Sequence, residues 1–339
     1  MRAARLNAVN VLAIEQVPRP VPGPGQVLVR VEACGLCGSD RHMFKGEYPT
    51  AKPVTLGHEF AGIIEVLGPG VTGLEVGDRV TGDPNVQCGV CPQCRRGRFN
   101  LCENLKPIGV WRDGGFADYV IVPQSHAIGL PRDLDPVLGA FCEPLACCLH
   151  GLDVVRIRPG DSVAILGGGV IGLIMVQLAR LAGAGQVILS TRQKARREVA
   201  LRLGATAAVD PGADDPRSAI AAAGGLAPGG VDVVLECAGV PETFRQAVGL
   251  ARRGGAVVVF GVTPQGVEVP VSPFDLLFNE LRIEAAYLNP STHERAAKMI
   301  AAGTLDLESL ITRRIGLGDL PAVLAAAPGQ GEIKTIVVP

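Results

Sequence analysis

The run Val163-Ala-Ile-Leu166, followed by Gly167, Gly169 and Gly172 spaced as G-x-G-x-x-G and then by the helical stretch Leu173–Leu181, constrains the fold more than any other segment. An apolar strand that ends in closely spaced glycines and opens straight into a helix is the first turn of a β–α–β unit. The first glycine makes the tight turn. The second lets backbone amides approach a ligand, and the third lets the helix pack on the strand. Val187–Ser190, Val231–Glu236 and Ala256–Phe260 read as further buried strands, separated by Ala-, Leu- and Arg-rich helical stretches. This alternation predicts an α/β fold with a doubly wound parallel sheet and right-handed crossovers, of the Rossmann type. The helix terminus after the glycines favours an anion, so Gly167, Gly169, Val170, Ile171 and Gly172 are expected to hold a dinucleotide pyrophosphate.

The first 150 residues have another texture. Val27–Val31, Ala61–Leu67 and Arg79–Thr81 are β-rich runs broken by PGPG at Pro22–Gly25 and GPG at Gly68–Gly70. A mostly β domain, barrel-like or sandwich-like, is expected there. The helix His293–Ala302 and the strand Lys334–Val338 are expected to return to it. The predicted organisation is therefore 1–150 completed by 291–339, with a nucleotide-binding domain over 151–290. Ala219–Gly230, rich in Ala and Gly, reads as a loop or frayed helix.

Composition removes several function classes. With 47% hydrophobic and 19% charged residues the chain is not of the disordered type. Thirty-two basic residues against 33 acidic ones leave no charge surplus for a polyanion, so neither nucleic acid nor an anionic membrane is expected as partner. The apolar stretch Ser162–Ala179 carries four glycines and Gln177 and is followed by Arg180, which suits a strand, turn and helix rather than a membrane span. No export signal is read at the N-terminus. The ten cysteines are therefore expected as thiols or metal ligands in the cytosol.

Four of them, Cys88, Cys91, Cys94 and Cys102, form C-x2-C-x2-C-x7-C. Two-residue gaps let successive thiolates converge on one ion, and the longer loop returns the fourth. All four positions are filled, which points to structural zinc. An iron–sulfur cluster and a zinc-ribbon nucleic-acid module are the rivals, the second invited by Arg95, Arg96 and Arg98. A second set is dispersed: Cys37 in GLCGSDRH, His58 and Glu59 in GHEF, and Glu143 in FCEPL. Singly each has an ordinary structural reading. Together, mixed S, N and O ligands with one exchangeable position describe catalytic zinc.

GLCGSDRH, LGHEFAG, the four-cysteine lobe, GGFADYV at Gly114–Val120 and the glycine fingerprint follow one another in an order that resembles the zinc-dependent medium-chain dehydrogenase/reductase family. CGSD and CEPL resemble its polyol (sorbitol-type) and threonine dehydrogenase branch. The resemblance implies a GroES-like catalytic domain and two zinc ions per subunit. The catalytic ion would sit on Cys37, His58 and either Glu59 or Glu143, with Cys142 as the weaker substitute and Asp40 orienting His58. It also implies reversible oxidation of a secondary alcohol to a ketone, with Ser39 and His42 as the proton relay. Dimers or tetramers are implied in the same way.

An acidic residue after the second strand would select NAD; here Ser190, Thr191 and Arg192 stand at that place, and no carboxylate follows until Glu198. Two hydroxyls and a guanidinium favour NADP(H) over NAD(H). Met43 and Leu288 replace a Tyr and an Arg common in the sorbitol branch, which brings a shorter diol, a cyclitol or a simple secondary alcohol into contention, while Glu143 and Asn289 still suggest a hydroxylated substrate. A threonine-type dehydrogenase and a ketose reductase are the rival activities. A zinc-binding protein that keeps the cofactor fold without turnover is the rival of another class.

Overall fold

The computed structural model describes residues 1–212, 218, 220, 222 and 229–339. Most of Ala219–Gly230 lies outside the described residues. The chain divides into two compact units, Met1–Ala146 with Leu288–Pro339, and Cys147–Tyr287.

The first unit is built on the long strand Gln26–Leu36, whose side chains are almost continuously buried. It pairs antiparallel with Glu59–Leu67, Tyr119–Pro123 and Lys334–Val338 inside a seven-stranded sheet. Strands buried on both sides read as apolar runs rather than alternating ones, which is why Gln26–Leu36, Glu59–Leu67 and Lys334–Val338 were visible in the sequence in whole or in part, whereas Tyr119–Pro123, with alternating burial, was not. A separate three-stranded sheet holds the hairpin Arg2–Ala8 and Val11–Gln16 with the short strand Val54–Thr55. The sequence reading missed this hairpin. Its turn is closed by Asn10 at φ 60, one of the few non-glycine residues that tolerates the left-handed region. Phe60, Phe116, Leu56 and Ile64 form the centre of the core.

The second unit is a six-stranded, all-parallel sheet in the spatial order Ala207–Val209, Gln186–Ser190, Ser162–Leu166, Val231–Glu236, Ala251–Val259, Arg282–Ala285. Numbered along the chain this is 3-2-1-4-5-6, so the strand order reverses beside Ser162–Leu166, where such sheets bind nucleotides. Ser162–Leu166 is buried along its whole length. Each fully buried Val, Leu or Ile stabilises the fold by roughly 1.5–3 kcal/mol. The strand expected at Ala256–Phe260 begins earlier, at Ala251, because a register shift against Val231–Glu236 extends the pairing.

Candidate active site

Helix Gly38–Lys45 positions the first group of functional side chains. Its N-cap is Cys37, whose backbone N–H donates to Asp40 Oδ2 at 2.9 Å. That bond pins the fully buried Asp40 under the first turn and leaves Oδ1 3.4 Å from His58 Nδ1. The other ring nitrogen, Nε2, lies 3.3 Å from Ser39 Oγ. His58 arrives through a turn that only glycine permits. Gly57 has φ +95, and a Cβ there would stand 2.7 Å from the backbone nitrogen of Phe116.

Donor atoms of Cys37, His58 and Glu59 all lie within 4.8 Å of one another. Cys37 is half-buried and the other two are buried. Glu59 pairs through Oε2 with Lys334 Nζ, a fully buried ammonium that also donates to the Leu36 carbonyl at 3.3 Å. Burial alone would lower the Lys334 pKa, but the carboxylate of Glu59, with Cys37 and Glu143, overrides it and holds the ammonium charged. Glu59 Oε1 has no hydrogen-bond partner among the described residues. Burial likewise pulls His58 down, yet Asp40 and Cys37 outweigh it and raise its proton affinity well above the usual range. The negative field that would hold a proton there equally attracts a metal cation. Thiol, imidazole and an oxygen lacking a partner therefore fit zinc.

Glu143 is buried in the first turn of helix Cys142–Val155 and acts on Lys334 through its charge, outside the three-donor group. Cys142 does not join it either: burial pushes its thiol up to about 12, so it stays protonated. His42 is three residues beyond Ser39 on the same helix face and is half-buried, with Nδ1 2.6 Å from Glu47 Oε2. Met43 points into the hydrophobic core, which gives a packing reason for an apolar residue at that position. Leu288 adopts φ 59, and the adjoining Asn289 is buried with its carbonyl oxygen accepting from Asn85 Nδ2 at 2.6 Å.

The second group is Cys88, Cys91, Cys94 and Cys102, again with donor atoms within 4.8 Å of one another. Cys91 caps the short helix Pro92–Arg95, where Cys94 N–H donates to its sulfur at 3.5 Å, and Cys88 N–H donates to Cys102 Sγ at 3.3 Å. Backbone N–H groups of Val90 and Cys91 lower the Cys88 thiol to about 6, whereas burial pushes Cys94 up to about 12. Four thiols so placed do not all ionise until a cation takes the protons' place, and the set fits a closed, tetrahedral zinc.

In the second unit, Gly167 at φ +116 turns the chain out of its strand. A Cβ on Gly172 would stand 1.9 Å from the Gly167 carbonyl oxygen, so the third glycine is needed for helix Val170–Leu181 to approach. Gly169 caps that helix without a side-chain bond and with open space where a Cβ would project. Val170 and Ile171 open the helix, so this cradle suits a pyrophosphate. Ser190 and Thr191 are buried at the end of the second strand, with Thr191 packed against Gly168. Arg197 donates to the Thr191 carbonyl and pairs with Asp210, and Lys194 faces Glu198. Arg192 is exposed and has no ion pair among the described residues.

Lys334 was missed as a site residue. Its signal is a lysine opening an otherwise apolar strand, KTIVV, where burial demands a countercharge.

Two family models match the chain: the alcohol dehydrogenase GroES-like domain over residues 23–132 and zinc-binding dehydrogenase over residues 170–302. Sorbitol dehydrogenase of Halalkalibacterium halodurans is 35% identical over 332 residues, 96% of this chain and 95% of that protein. L-threonine 3-dehydrogenase of Rhizobium johnstonii is 34% identical over 91% of this chain and 89% of that one. Among solved structures, a Sinorhizobium meliloti protein described as a zinc-binding dehydrogenase bound to NADP superimposes with TM-score 0.98 and 56% identity, covering 100% of this chain and 99% of its own. The 2R,3R-butanediol dehydrogenase of Bacillus subtilis gives TM-score 0.89 at 31% identity, covering 100% and 99%.

Proposed function

This chain belongs to the zinc-dependent medium-chain dehydrogenase family and is an NAD(P)-dependent oxidoreductase acting on alcohols, and from that premise we propose that it interconverts a hydroxylated secondary alcohol and its ketone with NADP(H). The observation that carries the reading is the convergence of Cys37, His58 and Glu59 donors beside the Ser39 hydroxyl. Cys37, His58 and either Glu59 or Glu143 are the proposed ligands of a catalytic zinc, and the four-cysteine lobe is the proposed seat of a structural one. When bound, zinc supplies Lewis acidity and the nicotinamide supplies the two-electron acceptor.

The protein's own groups do the rest. Asp40 holds the His58 ring in orientation through Nδ1. Ser39 Oγ takes up the alcohol proton as its own hydroxyl proton passes on, and the half-buried His42, one turn further along with Glu47 on its Nδ1, releases a proton to solvent. For the cofactor, the absence of a carboxylate after Ser190, the exposed Arg192 and the NADP of the Sinorhizobium meliloti relative support NADP(H).

We read the chain as a cytosolic homodimer or homotetramer. All ten cysteines are free thiols, and the Rossmann unit exposes Phe274, Leu277 and Phe278 on a helix just before its edge strand Arg282–Ala285. Sedimentation analysis of the purified protein tests the assembly.

The deciding experiment is kcat/KM for NADP+ and NAD+ across sorbitol, galactitol, myo-inositol, 2,3-butanediol, threonine and 2-propanol. A polyol or diol turned over with NADP+ is the expected result. A strong NAD+ preference overturns the phosphate reading. Preference for threonine hands the chain to the activity named for its Rhizobium johnstonii relative.

A further inference from the structure

The first unit contains a cavity of about 330 Å3 between the four-cysteine lobe and the start of helix His293–Ala301, and none of the candidate catalytic residues lines it. Its walls carry an unusual set of groups. His293 is 3% exposed, yet neither ring nitrogen has a hydrogen-bond partner among the described residues. Asn289 is 1% exposed and its Nδ2 is likewise without a partner. A buried polar atom left unpaired costs free energy, so a ligand that pairs it is favoured. Around these two, His126 is held by Ser125 at 2.9 Å and by Gln87 at 2.9 Å, and Asn85 bridges to Asn289.

Charge decides the ligand class. Asp83 and Glu294 line the cavity, and no Lys or Arg does, which disfavours a phosphate or a carboxylate. Asp83 and the two histidines do not bring their ligand atoms together; among the described residues only the two groups already named converge as metal ligands. Burial keeps both imidazoles below their usual range and therefore neutral at pH 7, each with one donor and one acceptor. Amides, neutral imidazoles and a carboxylate together offer donors and acceptors in alternation. Phe99 adds an apolar wall. A hydroxyl group both donates and accepts, and several hydroxyls on a short carbon chain match this lining.

We propose that this cavity is a second ligand site, taking a small neutral polyhydroxylated molecule. It rests on the proposed function in that Leu288 and Asn289, which bear on the substrate reading, also line the cavity, but it shares no residue with the proposed metal ligands.

The test is calorimetric titration of sorbitol, galactitol and myo-inositol into the zinc-loaded, dinucleotide-free protein as wild type, Cys37→Ser, His293→Leu and Gln87→Ala. At least one polyol is expected to bind, with affinity in Cys37→Ser within about threefold of wild type. His293→Leu should weaken it by about tenfold or more, the scale of one lost hydrogen-bonding side chain. Should His293→Leu not fold, Gln87→Ala, at the half-buried rim, and a polyol soak with density beside His293 carry the test. Loss of all polyol binding in Cys37→Ser, unchanged binding in the cavity variants, or binding of calcium or an ammonium probe but of no polyol each overturns the proposal. Loss of turnover in Cys37→Ser with polyol binding retained would leave it standing, so the failure of the catalytic reading is distinguishable.

Discussion

Two groups of metal-binding side chains lie in the same unit and differ in almost every physical respect. The cysteine lobe offers four like donors spaced along one short segment, with backbone N–H groups on its sulfurs. The Cys37 group offers three unlike donors from two separate elements, one half-exposed and one tied to a buried lysine. Like donors on a local loop make a closed shell that stiffens the chain. Unlike donors brought together by a sheet leave a coordination position open and need outside help to stay in place. Under the proposed assignment, one ion serves architecture and the other reactivity.

The contrast is most directly challenged by exchanging one thiol from each group. Cys37→Ser should lower kcat by about 10^3-fold, equivalent to roughly 4 kcal/mol, with little change in melting temperature and one metal retained per subunit. Cys94→Ser should do the reverse, keeping the other ion while melting several degrees lower; metal analysis with calorimetry reads both, and equal loss of activity in the two variants would erase the distinction.

The next largest effect concerns Lys334. Lys334→Met leaves Glu59 buried without its countercharge and should destabilise the fold by roughly 3–5 kcal/mol in urea unfolding, with Glu59→Gln in the same chain recovering much of it. No recovery would mean that Lys334 acts through packing alone. Asp40→Asn should weaken zinc at the Cys37 group by about 10–100-fold, measured by competition with a chelator, without touching the cysteine lobe. The smallest effect is expected from brief chelation of the wild type: activity disappears while the melting temperature moves by about 2–4 °C or less, corresponding to no more than about 1 kcal/mol. A large drop in melting temperature at that first stage would show the lobe emptying first.

How far the sequence foretold these features depended on how local their causes are. The glycine fingerprint lies between a buried strand and a helix and the four cysteines converge, and both patterns were legible because each is written within about fifteen residues. Four of the six parallel strands of the second unit were visible as apolar runs, while the two edge strands Ala207–Val209 and Arg282–Ala285 were not. The hairpin Arg2–Gln16 was not, since its strands are partly exposed and its turn rests on a single Asn10. Cys37, His58 and Glu59 could be named, but their convergence is made by strand pairing, and the ion pair between Glu59 and Lys334 joins residues 275 apart in sequence. The cavity beside His293 was invisible for the same reason: Asn85, His126 and His293 meet only when three separate segments fold together.

The strand Lys334–Val338 runs antiparallel to Gln26–Leu36, and its first side chain neutralises Glu59. Protein synthesis therefore delivers the acid 275 residues before its cation. A ribosome that stalls before codon 334, or a protease that clips the tail, leaves an anion in the interior and an edge of the central sheet uncovered. Such a product should be recognised as misfolded and degraded rather than persist as a half-active enzyme, because the central sheet stays unfinished until Lys334 is in place.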